Sequence, residues 1–283
     1  MVFENKVDSH QTILPLAQND EIKSKFKLWS KAHSRKNAIP NDISLASIVN
    51  QTSNENPISL AGDSPYPLRE YIINWVAEKY GPEMVAKAKE EFYLISGKFF
   101  YDEQDYNNRI EYFFDYFLFE RRMVDVSKKI DDLPPLLNFI SSFDSKVPEY
   151  SLETCDLVCN LRSFTHSIFE VRKAARLGCE VTDILSNERL KISAVDGQNY
   201  SAIERGQLIQ AYTYPWKNER VFSRGTLFHP KDCTGIIKKI AKKQRKEPSF
   251  HKLNFLFKLA KTEKTSQIRK PEVIKKTYVS AFS

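Results

Sequence analysis

The sequence lacks the local signatures by which membrane proteins and many enzyme classes are recognised. No run approaches the roughly 18 to 20 apolar residues of a membrane span, and the N-terminus, MVFENKVDSHQ, has neither a basic nor an apolar targeting segment. There is no GxSxG, GxxxxGK[ST], GxGxxG or HExxH motif, and 8 glycines leave little material for a phosphate loop. We therefore predict a soluble, cytoplasmic protein with no cofactor and no identifiable catalytic residue, and favour a non-enzyme over an enzyme.

Cysteine is also scarce. Four cysteines, at 155, 159, 179 and 233, are too few and too irregularly spaced for a disulfide framework, so we expect reduced thiols. Cys155 and Cys159 lie four residues apart on a predicted helix, with His166 beyond them, and are the nearest approach to a zinc-ligand set. Two thiols on an apolar helical face are more typical of buried side chains, and we predict no metal site.

Positive charge is abundant, and it is concentrated at one end of the chain. The formal net charge is +7, but residues 231–283 contain 15 Lys and Arg against 4 Asp and Glu, so that the preceding residues are net negative. Such asymmetry suggests an acidic partner, which could be nucleic acid, anionic lipid or an acidic protein surface. A solvated surface without a ligand is the plainer interpretation.

Hydrophobic periodicity divides the chain into four parts. Residues 1–63 are polar and rich in Asn and Ser, and we predict a flexible segment with one docking helix at 20–33. Residues 64–165 have repeated helical stripes that predict a module of about five helices. Residues 166–230 change to short β-branched and aromatic runs, which predict five strands, and residues 231–283 form a basic, amphipathic helical tail. Its apolar face favours docking on the β-module over lying free.

One predicted helix, at about 106–123, has an unusually aromatic sequence, EYFFDYFLFERR. Aromatic side chains at helical spacing are far more often core packing than a ligand site, so we expect this helix at the centre of the domain. Asp115 interrupts its apolar face and must reach solvent or pair. The arginines near it in the sequence, Arg109, Arg121 and Arg122, are the candidate partners.

The order of these parts resembles that of a loose group of uncharacterised bacterial proteins. The resemblance rests on EYFFDYFLFERR, then FEVRKAARLGCEVTDILSNERLKISAV and the later IERGQLIQAYTY, and it covers about residues 105–230. Some members of that group end in a Cys-rich zinc motif, whereas this chain has no cysteine after Cys233. The resemblance implies an architecture and no function.

The fold class that we predict is α+β: an N-terminal helical module, then a small antiparallel β-meander or barrel, then the basic helical tail. In the β-module, basic residues alternate with Tyr212, Tyr214 and Trp216, which share strand parity and hence one face. Small barrels bind single strands by pairing cations with phosphates and stacking aromatic rings on bases. That aromatic face could equally be the barrel core, and core is the favoured alternative.

We therefore predict a non-enzymatic protein that binds an acidic polymer, most plausibly RNA or single-stranded DNA, through the β-module and the tail. A protein-interaction adaptor with an acidic protein partner, or a structural protein without a nucleic-acid ligand, is the alternative. A hydrolase with a site between the two modules, where His166 or His229 would meet acidic residues, is a third. The candidate binding residues are Arg172, Lys173, Arg189, Lys191, Tyr212, Tyr214, Trp216, Arg220, Arg224, Lys238, Lys239, Lys242, Lys243 and Arg245.

Overall fold

A computed structural model describes residues 60, 62–123, 133–143, 150–247, 250–267 and 269–283. All of them belong to one compact unit of the chain. The predicted flexible segment and its helix at 20–33 lie outside the described residues, apart from positions 60, 62 and 63. The four-part division of the chain therefore stays a prediction.

In the described part of the chain, five helices come before the sheet, as the apolar stripes predict. Each of the first two begins at or just before a proline and ends at a glycine. Gly97, the predicted C-cap, has φ 91° and its N–H bonds the carbonyl of Tyr93. The helices are α1 (Tyr66–Tyr80), α2 (Pro82–Ser96), α3 (Tyr106–Phe119), α4 (Pro135–Phe143) and α5 (Leu152–Leu161).

The aromatic helix α3 is the centre of the structure. Every residue from Arg109 to Phe119 is buried, on all sides of the helix. Its rings contact α2 through Phe92, β4 through Tyr212 and a C-terminal helix through Phe257. A helix that is buried on every face lies inside the core, so the core role predicted for this helix is confirmed.

Six strands form one mostly antiparallel sheet: β1 (Thr165–Ala175), β2 (Gly178–Asp183), β3 (Arg189–Ser193), β4 (Leu208–Trp216), β5 (Glu219–Phe222) and β6 (Leu227–His229). Hydrogen bonding runs from β1 through β2, β3 and β5 to β4, and β4 pairs with β1 again. The β3–β5 pair is parallel and the others are antiparallel. One face of these strands encloses an apolar cluster that includes Phe169, Val181, Ile192, Ile209 and Phe222.

The described residues form one strand more than the five that we expected. The run VFSRGTLFHP is divided into β5 and β6, because its middle residues contact α3 instead of continuing a strand. Ser223 donates a hydrogen bond to Asp115, and a Cβ on Gly225 would collide with the backbone of Tyr112. Glycine lets the chain pass against the helix backbone at this point.

The basic tail docks on the sheet, as its apolar face predicts. It forms α6 (Thr234–Gln244), α7 (Lys252–Ser266) and α8 (Pro271–Ala281). Ile237, Leu256 and Tyr278 are buried in a second apolar cluster with Ile168 of β1 and Leu208 of β4. The tail is thus part of the fold, and its lysines lie on the outer faces of helices whose inner faces are core.

These elements confirm the α+β class: helices, then a mostly antiparallel sheet, then a basic helical region. None of the helices in the described residues is long and apolar enough to cross a membrane.

Candidate functional site

The three aromatic side chains predicted to stack on bases are in the core. Tyr212 and Tyr214 are fully buried, and Trp216 is 2% exposed. The ring of Tyr212 stacks on His166 at 4.0 Å between centroids, and also on Phe119. No base can reach these rings in this structure. The aromatic part of the predicted binding face is corrected accordingly, in favour of the core alternative.

Two of the predicted arginines make contacts inside the protein. Arg220 is partly buried and donates to Thr213 Oγ1 at 2.8 Å. Arg224 pairs with Asp196 at 2.6 Å, and its guanidinium lies 4.0 Å from the ring centre of Tyr66. Both side chains are committed to internal contacts and present little free charge to a ligand.

Other predicted cations meet on one surface. The Glu170 carboxylate on β1 bonds Arg172 at 2.9 Å and Lys238 of α6 at 3.0 Å. Arg172 also donates to Thr182 on β2, and Thr182 is paired with Arg189 on β3. Residues far apart in the sequence are thereby brought together by the pairing of β1, β2 and β3 and the docking of α6.

The same surface continues on both sides of this contact. Lys173 and Lys191 flank Glu180 across the strands. On α6, Lys242 follows Lys238 at a spacing of four, and Arg245, the C-cap residue just after the helix, follows at a spacing of seven, which places all three on one side. Arg245 anchors there by donating to the carbonyl of Leu185 at 2.9 Å. We call this set the basic surface: Arg172, Lys173, Arg189, Lys191, Lys238, Lys242 and Arg245.

The two remaining predicted lysines, Lys239 and Lys243, are exposed on α6 but rotated away from the Glu170 contact. With two carboxylates, Glu170 and Glu180, among its seven cations, the basic surface has an excess of positive charge. Of the fourteen predicted residues, seven lie on the basic surface and two lie on an adjoining side of α6. The other five are buried or make internal contacts.

A second constellation, not predicted from the sequence, is a chain of buried polar side chains. It joins helix α8 to the end of α3 across the sheet, through hydrogen bonds of 2.6 to 3.2 Å. In order along these bonds the side chains are Tyr278, His229, Gln210, Tyr112, His166 and Glu120.

The direction of the hydrogen bonds between α8 and Gln210 can be assigned. Gln210 donates from Nε2 to the carbonyl of Leu256, so its other amide atom, Oε1, must accept from His229 Nε2. Burial lowers the pKa of His229 to about 3, with a smaller effect from Arg109, so the ring is neutral and its Nδ1 accepts from Tyr278. The bonds on this side therefore all point from α8 towards Gln210.

On the other side of Gln210, the polar chain continues to Glu120. Tyr112 accepts from Gln210 Nε2 and shares a hydrogen bond of 2.6 Å with His166 Nε2, and His166 donates from Nδ1 to Glu120. Tyr212 also donates to Glu120. Burial raises the pKa of Tyr112 and of Tyr212 well above the usual tyrosine value, which keeps both as hydroxyl donors. The Glu120 carboxylate thus accepts hydrogen bonds from two side chains, His166 and Tyr212.

Glu120 faces a cleft of about 240 Å³. The cleft lies where the end of α3, the start of β1 and the first turn of α7 meet, and part of its wall is apolar. Its lining residues are Glu120, Phe164, Thr165, His166, Lys252, Leu253 and Leu256.

Asp115 has a partner, but not one of the three arginines expected from the sequence. Arg69 of α1 donates to Asp115 at 2.9 Å and to Glu111 at 2.6 Å, and all three side chains are buried. Burial raises the pKa of Asp115 to about 7, against the opposing effect of Arg69. Arg109 instead pairs with Asp105 and Glu263, and Arg121 pairs with Glu91.

Within the described ranges, no group of three or more His, Cys, Asp or Glu residues is placed to hold a metal ion. Cys155 and Cys159 are free thiols on α5, and Cys159 is exposed. His166 is the histidine that meets a carboxylate in a cleft, as the hydrolase alternative requires, but both of its ring nitrogens are occupied.

Comparison with protein-family models, with curated proteins and with solved structures finds no match to this chain.

Proposed function

We propose that the protein binds the phosphate backbone of RNA or single-stranded DNA at the basic surface. The observation that carries the proposal is the convergence of Arg172 and Lys238, from separate segments, on the Glu170 carboxylate. Arg189 lies in the same row across the strands, beyond Thr182. Cations on an ordered framework neutralise successive phosphates without first paying the full entropy of ordering a loose tail. Because the predicted aromatic rings are buried, the interaction is with the backbone and not with stacked bases.

The order of the strands supports this proposal. Pairing passes through β1, β2, β3, β5 and β4 and returns to β1, with one parallel pair, which is the order in small five-stranded barrels of the OB type. Such barrels bind oligonucleotides on the outer face around their second and third strands. Arg189 and Lys191 lie on β3, beside β2. Folds host many functions, so the charge carries the argument and the topology only agrees with it.

Binding of this kind depends strongly on salt. Four phosphate contacts with a single strand give a slope of about −2.8 for the logarithm of affinity against the logarithm of salt, at about 0.7 per contact. Raising the salt fourfold would then weaken binding about 50-fold.

The test is titration of the full chain with fluorescent RNA, single-stranded DNA and duplex DNA at two salt concentrations. Removing the tail is a poor test, because Ile237 and Leu256 are core residues and their loss would unfold the domain. We instead compare the double variant K238Q/K242Q, on the basic surface, with K239Q/K243Q, which removes the same charge on the adjoining side of α6.

We expect K238Q/K242Q to weaken single-strand binding and to reduce the salt slope by about 1.4, whereas K239Q/K243Q has the smaller effect. Equal losses in the two variants would mean that charge alone, without the surface, determines binding. Absence of binding at low salt would refute the function and direct the search to an acidic protein partner.

The hydrolase hypothesis stays a prediction. The meeting of His166 and Glu120 at a cleft favours it. A general base must reach a substrate proton, and here the His166 nitrogens are bonded to Glu120 and Tyr112.

A further inference from the structure

We propose that the cleft at Glu120 binds one nucleotide, with the amino-bearing edge of its base on the Glu120 carboxylate and its phosphate towards Lys252. This inference rests on the proposed function, since the base would belong to the strand that the basic surface holds. The cleft would supply the contact with a base that the buried aromatic residues cannot make.

The first step is the hydrogen bonding of Glu120. It is the last acceptor of the polar chain, and it receives donors from His166 and Tyr212. These two donated hydrogen bonds fix the orientation of the carboxylate. Each carboxylate oxygen has two acceptor positions, so the group can still accept from a ligand in the cleft.

The second step is the shape of the cleft. Phe164, Leu253 and Leu256 provide apolar wall, and the Phe164 ring is only partly buried and stacks on Phe119 behind it. A volume of about 240 Å³ holds a group of the size of a nucleobase. A flat, apolar-sided ligand with hydrogen-bond donors on one edge matches these walls.

The third step is the choice between a cationic ligand and a neutral donor. Lys252 is exposed on the same cleft, and its ammonium would repel an amine or a guanidinium placed against Glu120. A nucleotide avoids this conflict, because its base donors are neutral and its phosphate attracts Lys252. Guanine presents two adjacent N–H donors to a carboxylate, whereas the single N–H of uracil lies between two carbonyl oxygens that Glu120 would repel.

The cleft lies at the start of β1, and the basic surface begins near the middle of the same strand. His166 and Glu170 are four residues apart on β1 and share strand parity, a separation of about 13 Å. Ile168 between them is buried under α6, α7 and α8, so a single strand that occupied both places would pass around these helices.

The experiment is calorimetric titration of the full chain with GMP and with UMP. Two variants probe the cleft: E120Q removes the charge of the acceptor, and L253W fills the cleft from its edge without touching the polar chain. The matched control is L94W, at a leucine that is 75% exposed on α2 and outside the cleft. Thermal unfolding of each variant shows whether it is folded.

We expect GMP to bind more tightly than UMP, and both cleft variants to weaken GMP binding at least about tenfold, as loss of a charged hydrogen bond would. L94W should match the unchanged protein. If E120Q fails to fold, L253W still decides the matter. No heat from GMP, equal affinities for GMP and UMP, or unchanged binding in L253W would each overturn the proposal.

The two proposals fail separately. Salt-dependent binding of oligonucleotides with no response to GMP would refute the cleft and leave the basic surface. GMP binding that is lost in L253W, without any oligonucleotide binding, would refute the proposed function and leave a nucleotide site.

Discussion

Replacing Arg69 by methionine should destabilise the protein strongly, because it removes the only cation that contacts Glu111 and Asp115 among the described contacts. The guanidinium donates to Asp115 at 2.9 Å, to the Glu111 carboxylate at 2.6 Å and to the Glu111 carbonyl at 2.8 Å. Arg69 is 2% exposed, so water cannot replace it. Methionine fills similar space and leaves two carboxylates without their counter-ion.

Breaking a buried ion pair by removing one partner costs about 3–5 kcal/mol. That is a large part of the roughly 5–15 kcal/mol by which a native domain is stable. The loss should be smaller at pH 5 than at pH 8, because Asp115, whose pKa burial raises to about 7, is protonated at the lower pH and then carries no uncompensated charge.

The assay is urea unfolding at both pH values, followed by tryptophan fluorescence. Arg220→Met is the control: it also removes a partly buried guanidinium, but one that donates to Thr213 and not to a carboxylate. Its cost should be nearer to 1 kcal/mol, the value of an ordinary hydrogen bond. A loss below about 1 kcal/mol for Arg69→Met, or one that does not change with pH, would refute this account of the cluster.

Three further predictions use the same unfolding assay. Asp115 has a folded-state pKa of about 7, above its unfolded value, so its contribution to stability is present at low pH and is lost as the pH rises through 7. Asp115→Asn should flatten this dependence of the unfolding free energy on pH. An unchanged pH profile in the variant would contradict the prediction. Tyr214→Phe should stabilise the protein by about 1 kcal/mol, because it removes a buried hydroxyl without a partner in the described part of the chain. Tyr212→Phe should destabilise the protein, because it loses a hydrogen bond to Glu120. The reverse order would count against these two hydrogen-bond assignments. Gly225→Ala should cost at least about 1–3 kcal/mol through collision with α3, whereas Gly235→Ala, in open space on α6, should be neutral or stabilising; equal effects would rule out the close approach.

The helices were predictable because their signals are local. Pro82 and Gly97 mark the two ends of α2, and the apolar stripe of α3 needs only its own sequence to be recognised. The partner of Asp115 was not predictable in this way. Arg69 lies 46 positions away on another helix, whereas Arg109 and Arg121, which proximity in the sequence suggested, pair with other carboxylates. A carboxylate on an apolar helix signals that a partner exists, but not which residue it is.

The polar chain could not be predicted from the sequence, for the same reason. His166 opens a strand and Glu120 ends a helix, and neither stands in a motif. Only the packing of α3 against β1 and β4 joins them. A general signal was present in the sequence, since a buried histidine must find partners for both ring nitrogens. It gave no means of choosing them.

Strand β4 shows why the aromatic residues were ambiguous and where function can lie. Alternation along a strand separates its two faces, but it distinguishes core from ligand face only when one face meets solvent. Here Ile209 faces the cluster enclosed by the strands, and Tyr212 on the other face packs against α3 and His166. Because helices cover that second face, ligands have access only where the covering stops. The two proposed sites lie at such limits: the basic surface beside α6, and the cleft at the first turn of α7.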